Sequence, residues 1–321
     1  MRENNETILV TGGAGFIGSH LVAKLADLNY KIRILDNLSS GKLSNIDQAI
    51  LHDESVDFVE GDIRDNTLVS KCLYNVDIVV HLAAQISVPY SIQNPQFNDE
   101  VNIGGTMNLL KSSVENKIKR FVFISSCAVY GDTVYLPIDE KHPVNPISPY
   151  ATSKLVAEKE CLKLNSNHML KSVVLRFFNV YGPKQGLNDY SGVITKFMER
   201  IKQKLPLTIY GDGSQTRDFV YVQDIVNAII LAVKRKDVDG EIFNIGTGKA
   251  VTIEELAKTM LSLTGKELEI VKAPIREGDI KHSYANITKA NKFMGYNPQF
   301  SLNEGLTSLL IQNGLLTSEL K

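Results

Sequence analysis

The stretch at residues 11–20, TGGAGFIGSH, constrains the fold more than any other part of this chain. It follows an apolar run at residues 7–10 with the character of a buried strand, and it leads into apolar residues spaced for one face of a helix. The glycines therefore lie in a strand-to-helix turn. Such a turn needs residues without a Cβ, and it lets a pyrophosphate approach the backbone and the positive end of the helix. Gly13, Gly15 and Gly18 have the G-x-G-x-x-G spacing of a dinucleotide-binding unit.

An acidic residue closes the second apolar run. Residues 31–35 predict a strand that ends at Asp36, about 20 residues beyond the glycines. A carboxylate at this place accepts hydrogen bonds from the hydroxyls of an adenosine ribose, and it repels a 2′-phosphate. Residues 37–40, NLSS, contain no Arg to receive such a phosphate. The sequence therefore favours NAD over NADP as the cofactor.

Strands alternate with helices along the first part of the chain. This rhythm predicts an α/β fold with a doubly wound parallel Rossmann sheet, in a cofactor domain at residues 1–178. The predicted strands are residues 7–10, 31–35, 56–60, 76–82, 120–125 and 172–176. The predicted helices include residues 95–116 and one that begins at Ser148-Pro149, where proline suits the first turn.

Beyond Asn179 the pattern changes to that of a smaller mixed α/β substrate domain at residues 179–321, interleaved with the first domain. Helices are predicted near residues 192–203, 223–234, 252–264 and 302–312, and short strands near residues 208–210, 241–245 and 268–271.

Composition excludes several classes of function. Of 321 residues, 43% are hydrophobic and the net charge is −1, so the basic footprint of a nucleic-acid-binding protein is absent. The longest apolar helix candidate, residues 225–233, is too short to span a membrane, and the polar start leaves no room for a signal peptide. Three cysteines without metal-like spacing predict reduced thiols, no metal site and a cytoplasmic protein.

Tyr150 and Lys154 are the predicted catalytic pair. A spacing of four places both side chains on one helix face. A free tyrosine has a pKa of about 10, and a nearby ammonium together with the positive nicotinamide ring favours the phenolate. Ser126, at the end of the fifth predicted strand, supplies a hydroxyl that can bond the same substrate oxygen and relay its proton.

With these pieces the chain resembles an extended short-chain dehydrogenase/reductase, and it is most similar to the nucleotide-sugar 4-epimerases of the UDP-glucose/UDP-N-acetylglucosamine type. The resemblance covers nearly the whole chain. Its motifs are TGGAGFIG at 11–18, HLAA at 81–84, SSCAVYG at 125–131, RFFNVYGP at 176–183, GDG at 211–213, QTRDF at 215–219, NIGTG at 244–248 and REGD at 276–279.

The resemblance implies a reaction without net redox change. Tyr150 takes the proton of the sugar 4-hydroxyl, C4 passes its hydride to tightly bound NAD, the 4-keto sugar turns over, and the hydride returns to the opposite face. Arg217 and Arg276 would grip the diphosphate bidentately while the sugar swings. The resemblance also implies a homodimer that pairs through segments around residues 95–116 and 150–165.

The predicted site residues combine these arguments. Those for the cofactor are Gly12, Gly15, Phe16, Ile17, Gly18, Asp36, Asn37, Asp62, Ile63, Leu82, Ala83, Ala84, Asn102, Tyr150, Lys154 and Phe178. Those for the UDP-sugar are Ser87, Ser125, Ser126, Tyr150, Asn179, Gly192, Val193, Tyr210, Arg217, Arg276, Asp279 and Ser283.

Ser283 stands where the family's sugar pocket varies, seven places after Arg276. The resemblance implies that a tyrosine there restricts the pocket to plain hexoses, whereas a small residue admits a 2-acetamido group. The sequence thus predicts interconversion of UDP-GlcNAc and UDP-GalNAc, and also of UDP-glucose and UDP-galactose. Tyr284 lies one place further, so a register shift of one residue would invert this prediction.

Four other functions compete with that of a UDP-sugar 4-epimerase. Related dehydratases place Asp-Glu after the catalytic Ser/Thr, where this chain has Cys127 and Ala128, and related decarboxylases carry a Glu near Ala128. Both reactions are therefore disfavoured. A UDP-uronate 4-epimerase and a non-catalytic NAD-binding regulatory protein are alternatives, although such regulators usually lose the Tyr or the Lys.

Overall fold

Seven parallel strands form the main sheet in the computed structural model, which describes residues 6–186, 192–275 and 280–317. The strands, in chain order, are β1 Thr7–Thr11, β2 Lys31–Asp36, β3 Val56–Glu60, β4 Ile78–His81, β5 Arg120–Ser126, β6 Ser172–Phe177, β7 Asn179–Tyr181, β8 Leu207–Tyr210, β9 Thr216–Arg217, β10 Phe219–Tyr221, β11 Ile242–Ile245, β12 Val251–Thr252, β13 Ile270–Ala273 and β14 His282–Ser283. The order in the main sheet is β11-β6-β5-β4-β1-β2-β3.

Helices connect and cover these strands. They are α1 Phe16–Asp27, α2 Gln48–Leu51, α3 Asn66–Cys72, α4 Val88–Gln93, α5 Pro95–Asp99, α6 Thr106–Glu115, α7 Pro149–Ser166, α8 Val193–Lys202, α9 Val222–Lys234, α10 Ile253–Thr264 and α11 Leu302–Gln312. A π-helical segment, Glu100–Gly105, joins α5 to α6, so the helix predicted at residues 95–116 is continuous apart from this change of pitch.

The strand order reverses between β1 and β4. From β1 the chain proceeds outward to β2 and β3, and it then returns to the other side of β1 with β4, β5 and β6. At such a switch point the loops after the two central strands diverge and leave a crevice, which is where doubly wound sheets bind their ligands. The glycine turn after β1 and the loop after β4 border this crevice.

Two apolar layers sandwich the main sheet. One face packs against α1 and α9 through buried residues that include Leu21 and Ile225. The other packs against α3, α6 and α7 through residues that include Leu109 and Ala157. Every β4 and β6 residue is buried, as strands covered on both faces require. The predicted doubly wound fold is confirmed.

A third apolar cluster builds the smaller region. It joins α8, α10 and α11 to β8 and β10 through residues such as Phe197, Leu256 and Leu309. Short two- and three-stranded sheets, β10-β7, β12-β9-β14 and β13-β8, bring together segments distant in the chain. The structure thus carries the predicted mixed α/β region beside the main sheet.

Two predicted elements belong to a different layer from the one assigned to them. The strand predicted at 241–245 is β11, which pairs with β6 as the edge of the main sheet, and the helix predicted at 223–234 is α9, which packs beside α1. Assigning both to the smaller region was wrong, because an apolar strand or helix carries no local mark of the sheet it joins. The division into residues 1–178 and 179–321 stays a proposal.

Candidate active site

The glycine turn after β1 has no room for side chains. Gly12 has φ +72°, and a Cβ there would lie 2.8 Å from the backbone nitrogen of Ala83. A Cβ on Gly18 would lie 2.0 Å from the carbonyl oxygen of Gly12. Gly15 is the N-cap of α1 and has no side chain to cap the helix. The first N–H groups of α1, near Phe16 and Ile17, therefore face an open backbone cradle suited to a pyrophosphate.

Asp36 fastens this turn to the end of β2. Its side chain is buried, and its two carboxylate oxygens accept hydrogen bonds from the backbone N–H groups of Ala14, at 2.9 Å, and Leu38, at 2.8 Å. Gly12 N–H also donates to the Leu35 carbonyl oxygen. The acidic group thus lies against the glycine turn, as the sequence predicted, with its remaining lone pairs available to ribose hydroxyls.

A second carboxylate lies beside it. Asn37 Nδ2 donates to Asp62 Oδ2 at 2.9 Å, and Arg64 donates to both oxygens of the same carboxylate. The Arg64 guanidinium lowers the pKa of Asp62 to about 2. Asn37, Asp62 and the buried Ile63, all predicted to bind the cofactor, therefore form one fixed wall near Asp36.

A chain of hydrogen bonds fixes the loop after β4. His81 is fully buried between the hydroxyls of Thr11, 2.7 Å from Nδ1, and Thr106, 2.9 Å from Nε2. Thr106 donates its own proton to the Asn102 carbonyl oxygen, so it accepts from Nε2–H, and Nδ1 accepts from Thr11. Burial lowers the pKa of His81 to about 3, which keeps this arrangement neutral. The Ala83 N–H completes the chain by donating to Thr11 Oγ1.

Asn102 positions the next part of this loop. Its side-chain oxygen accepts from Gln85 N–H, and its Nδ2 donates to the Gln85 carbonyl oxygen and to Ser153 Oγ. Asn102 was predicted to bind the cofactor. With these bonds the side chain holds the loop containing Leu82, Ala83 and Ala84 against α7. Its role in cofactor binding stays a prediction.

The predicted catalytic residues converge at the N-terminal end of α7. Ser148 caps the helix by accepting from Ala151 N–H, and Ser91 Oγ accepts from Tyr150 N–H, which fixes the first turn. The Ser126 side chain lies beside that of Tyr150, and hydrogen bonding from Ser126 works to lower the pKa of the phenol. Burial outweighs it and raises the pKa of Tyr150 to about 12.

Lys154 lies one turn further along α7. Its ammonium donates to the Ile124 carbonyl oxygen at 2.9 Å and lies 5.1 Å from the centre of the Phe123 ring. Burial lowers the pKa of Lys154 to about 8. The sequence predicted that this ammonium lowers the pKa of Tyr150. Here the ammonium is bonded to the end of β5 and burial sets the direction of the shift at Tyr150, so the predicted effect of the ammonium together with the nicotinamide ring stays a prediction.

A wall beside Tyr150 is formed by three side chains from separate segments: Cys127, Arg217 and Ser283. Strands β14 and β9 place Ser283 directly opposite Arg217. The side chain of Ser283 lies beside the thiol of Cys127, and both Ser283 and Arg217 work to lower the pKa of that thiol. Burial nevertheless raises the pKa of Cys127 to about 11, so the thiol stays neutral. Cys127 also influences Tyr150, which places this wall next to the predicted base.

Asp218 ties the wall together. This fully buried carboxylate accepts from the N–H groups of Thr247, Gly248 and Ala285 and from the Thr247 hydroxyl, at 2.6 to 3.1 Å. Gly246 is required here, because a Cβ would lie 2.5 Å from Asp218 Oδ2. These hydrogen bonds therefore join the QTRDF and NIGTG motifs and set the position of β9 and β14.

Two amide oxygens near the site are buried without a hydrogen-bond partner, those of Gln85 and Asn179. The Gln85 Nε2 donates to the Ser87 carbonyl oxygen, which assigns the orientation of that amide. Asn179 follows the end of β6, and its backbone N–H donates to the Asp218 carbonyl oxygen. Both oxygens can accept bonds from a ligand rich in hydroxyl or amide hydrogens. Asn179 was predicted, and Gln85 was missed because its sequence context gave no signal.

The remaining predicted residues have varied surroundings. Phe178 is buried in a small cluster with Tyr130, against which Cys127 packs. Ser87 caps α4, Gly192 caps α8, and Val193 begins α8. Two residues predicted to bind the substrate, Ser125 and Tyr210, have other surroundings. Ser125 was predicted to contact substrate, but its hydroxyl donates to Glu158 instead. Tyr210 ends β8 in the smaller region.

Arg276 and Asp279 lie outside the described residues. Within the three described ranges, no cluster of His, Cys, Asp and Glu has the makings of a metal site. In the same part of the chain, no helix combines the length and apolar character needed to cross a membrane.

Comparison with known proteins supports the assignment of an NAD site. Residues 8–246 match the family described as the NAD dependent epimerase/dehydratase family. A putative UDP-glucose 4-epimerase of Methanocaldococcus jannaschii is 42% identical over 301 residues, which are 93% of this chain and 95% of that protein.

Two solved structures have nearly the same fold. UDP-glucose 4-epimerase of Thermotoga maritima with UDP-glucose has a TM-score of 0.90 and 39% identity, covering 97% of this chain and 100% of that one. UDP-N-acetylglucosamine 4-epimerase of Methanobrevibacter ruminantium M1, in complex with UDP-N-acetylmuramic acid, has a TM-score of 0.90 and 36% identity, covering 95% and 97%. The predicted resemblance and the NAD cofactor are confirmed, and the chain belongs to the NAD dependent epimerase/dehydratase family.

Proposed function

We propose that the protein is a UDP-sugar 4-epimerase. The observation that carries this proposal is that Tyr150 and Ser126 meet at the carboxyl end of β5, beside a wall of Cys127, Ser283 and Arg217. This is the sheet edge that also carries the dinucleotide turn after β1, because β1, β4 and β5 are parallel neighbours. A base, a hydroxyl partner and a cation are thus arranged around one space beside a nicotinamide site. The names of the similar proteins support the same reaction.

The residues present fit NAD. The turn at Gly12, Gly15 and Gly18 is a cradle that any Cβ would fill, and Asp36 stands beside it with a buried carboxylate. When bound there, NAD can accept a hydride from C4 and return it, and its positive ring favours the phenolate of Tyr150. The ammonium of Lys154 would hold the nicotinamide ribose.

The chain's own groups would perform the proton chemistry. Tyr150 takes the proton of the 4-hydroxyl and returns it after inversion, and the Ser126 hydroxyl bonds the same oxygen and keeps it aligned. Lys154 is buried and Tyr150 is half-buried, which limits the access of water to the exchange. Arg217 would hold the diphosphate, so that the sugar can turn while the rest of the substrate stays in place.

The described contacts also bear on competing reactions. Dehydration across C5 and C6 would need an acid and a base beside Ser126, but Cys127 is a neutral thiol and Ala128 has no polar side chain. A uronate 4-epimerase would share the proton chemistry and differs only in the group at C6. A regulatory protein without catalysis would not require the Ser126–Tyr150 contact.

For substrate choice, we favour both acetamido and plain hexoses. Ser283 is 6% exposed, lies beside Cys127 and is opposite Arg217, so it faces the site. Tyr284 follows the end of β14, and burial alternates from the buried Ser283 through the half-buried Tyr284 to the buried Ala285. This alternation is that of an extended segment whose successive side chains point to opposite sides, which directs Tyr284 away from this wall. A small side chain at 283 leaves room for a 2-acetamido group. The unpartnered Asn179 oxygen offers an acceptor to the sugar.

We expect NAD to co-purify with the protein. The cradle and the buried Asp36 hold a cofactor that the reaction regenerates, so turnover needs no added nucleotide. Denaturing the purified protein and quantifying the released nucleotide by chromatography should give close to one NAD per chain. Protein that loses its nucleotide on dialysis and then requires stoichiometric NAD would contradict this.

We also expect a homodimer that pairs through the segments around residues 95–116 and 150–165, against which α4 packs. Side chains of this region are apolar yet exposed, among them Ile92 at 62% and Phe97 at 38%. Symmetric dimers are the commonest assembly. Light scattering should give twice the chain mass, and Ile92→Glu/Phe97→Glu should give the monomer. Tyr74→Glu, at an equally exposed site beyond α3, is the control and should leave the dimer intact; a monomeric wild type would refute the prediction.

A further inference from the structure

A buried ionic cluster lies directly behind the catalytic pair. Glu158 is 1% exposed, and Arg176 on β6 donates to it from Nε at 3.0 Å and from Nη2 at 2.7 Å. Ser125 on β5 donates to Glu158 Oε1 at 2.5 Å. The guanidinium of Arg176 also stacks over Tyr130, with its central carbon 4.7 Å from the ring centre. We refer to Ser125, Glu158 and Arg176 as the support cluster.

Two members of the support cluster, Ser125 and Glu158, lie on the same strand or helix as the catalytic residues. Tyr150, Lys154 and Glu158 follow at a spacing of four on α7, so they line one face of the helix. Ser125 precedes Ser126 on β5, and the Ile124 carbonyl oxygen that receives the Lys154 ammonium precedes Ser125. The cluster therefore joins the end of the catalytic strand to the catalytic face of α7.

The charged groups around Lys154 lie on the same helix and strands. The groups that face Lys154 are Glu158 and Cys161 on its own helix, His81 on β4, and the Phe123 ring and Ile124 carbonyl on β5. Burial raises the pKa of the Cys161 thiol and lowers that of His81, so both are uncharged at neutral pH. Of these groups, Glu158 is the anion, and it raises the pKa of Lys154 against the effect of burial.

We propose that Glu158 is a positioning residue that keeps Lys154 charged and held against the end of β5, with Ser125 and Arg176 fixing the carboxylate. The inference rests on the proposed function, because it assigns a role within the same site. A carboxylate one helical turn from the ammonium, on the same face of α7, acts strongly through a low-dielectric interior. Arg176 satisfies that carboxylate without touching Lys154, so the anion can be buried and still act on the ammonium.

The test compares Glu158→Gln with wild-type holoenzyme. Loss of the anion lets burial lower the pKa of Lys154 further, so the ammonium is lost at lower pH. We expect the alkaline limb of the kcat profile to move down by about one pH unit, while NAD content is unchanged. The pKa of Lys154, followed by NMR on protein with ¹⁵N-labelled lysine and assigned with Lys154→Met, should fall by the same amount.

Two further variants separate this role from folding. Glu158→Leu/Arg176→Met replaces the pair by apolar side chains, which buried ion pairs often tolerate without loss of stability. It should show the same downward shift. The matched control is Asp239→Asn, which breaks the ion pair at the opposite end of β5, where Nη2 of the buried Arg120 lies 2.7 Å from Oδ1 of the half-buried Asp239. The control should keep the wild-type limb and the wild-type Lys154 titration.

Unchanged Lys154 titration in both Glu158 variants, or an equal shift in Asp239→Asn, would overturn the proposal. The NMR titration reads Lys154 whether or not the enzyme turns over. Wild-type protein without epimerase activity but with the expected change in Lys154 would therefore refute the proposed reaction and leave the role of Glu158 standing.

Discussion

Tyr150→Phe should lower the rate of C4 exchange by roughly 100- to 10,000-fold, the usual contribution of a positioned acid–base group. The phenol oxygen is the only atom removed, and it is the atom that Ser126 contacts. The pyrophosphate cradle at Gly12–Gly18 is on another element, so the variant should keep its NAD. The exchange rate is measured by NMR of a UDP-sugar, and the NAD content by chromatography of denatured protein.

Two serine variants provide the comparison. Ser126→Ala should slow exchange less than Tyr150→Phe, because the serine aligns the proton rather than accepting it. Ser125→Ala should act only through Glu158, since its hydroxyl is bonded there. If Tyr150→Phe kept a rate within about tenfold of wild type, a barrier change of roughly 1.4 kcal/mol, another residue would have to be the base.

Ser283→Tyr should change the substrate range rather than the chemistry. We expect activity on UDP-GlcNAc and UDP-GalNAc to fall by about 100-fold or more, roughly 2.7 kcal/mol of barrier, while UDP-glucose and UDP-galactose are spared. A phenol ring in place of the Ser283 hydroxyl would overlap the acetamido group beside Cys127, and a close-packed wall cannot absorb several overlapping atoms. The ratio of kcat/KM for the two sugar classes measures the effect.

The matched control is Tyr284→Ser, one residue further along the chain. The alternating burial of Ser283, Tyr284 and Ala285 directs the Tyr284 side chain away from the wall, so its removal should leave the ratio unchanged. A changed ratio in Tyr284→Ser, or equal loss on both sugar classes in Ser283→Tyr, would show that the register of this segment is wrong.

Local patterns were enough to predict the cofactor half of the site. The glycine turn, Asp36 and the alternation of strands and helices are each fixed by short-range chemistry, and the structure brings Asp36 against the turn through Ala14. The Tyr150–Lys154 spacing likewise needs only the helical period. These features could be predicted because the physical constraint and the sequence signal fall within the same few residues.

Long-range contacts explain what the sequence did not predict. The place of β11 at the edge of the main sheet depends on pairing with β6, about 70 residues earlier in the chain. The turn of Ser125 toward Glu158 and the raised pKa of Tyr150 depend on burial, which the order of residues does not disclose. The contact of Ser283 with Cys127 joins two segments that meet only in the folded protein.

The most direct test of the proposed reaction uses the purified protein without added nucleotide. UDP-GlcNAc and UDP-glucose are supplied separately, and proton NMR follows the anomeric signals of the C4 epimers. We predict that UDP-GalNAc and UDP-galactose form until each reaction reaches an equilibrium mixture of the two epimers. No net NADH should form, and no signal should be lost to a dehydrated sugar. Absence of both epimers from protein shown to contain NAD would contradict it.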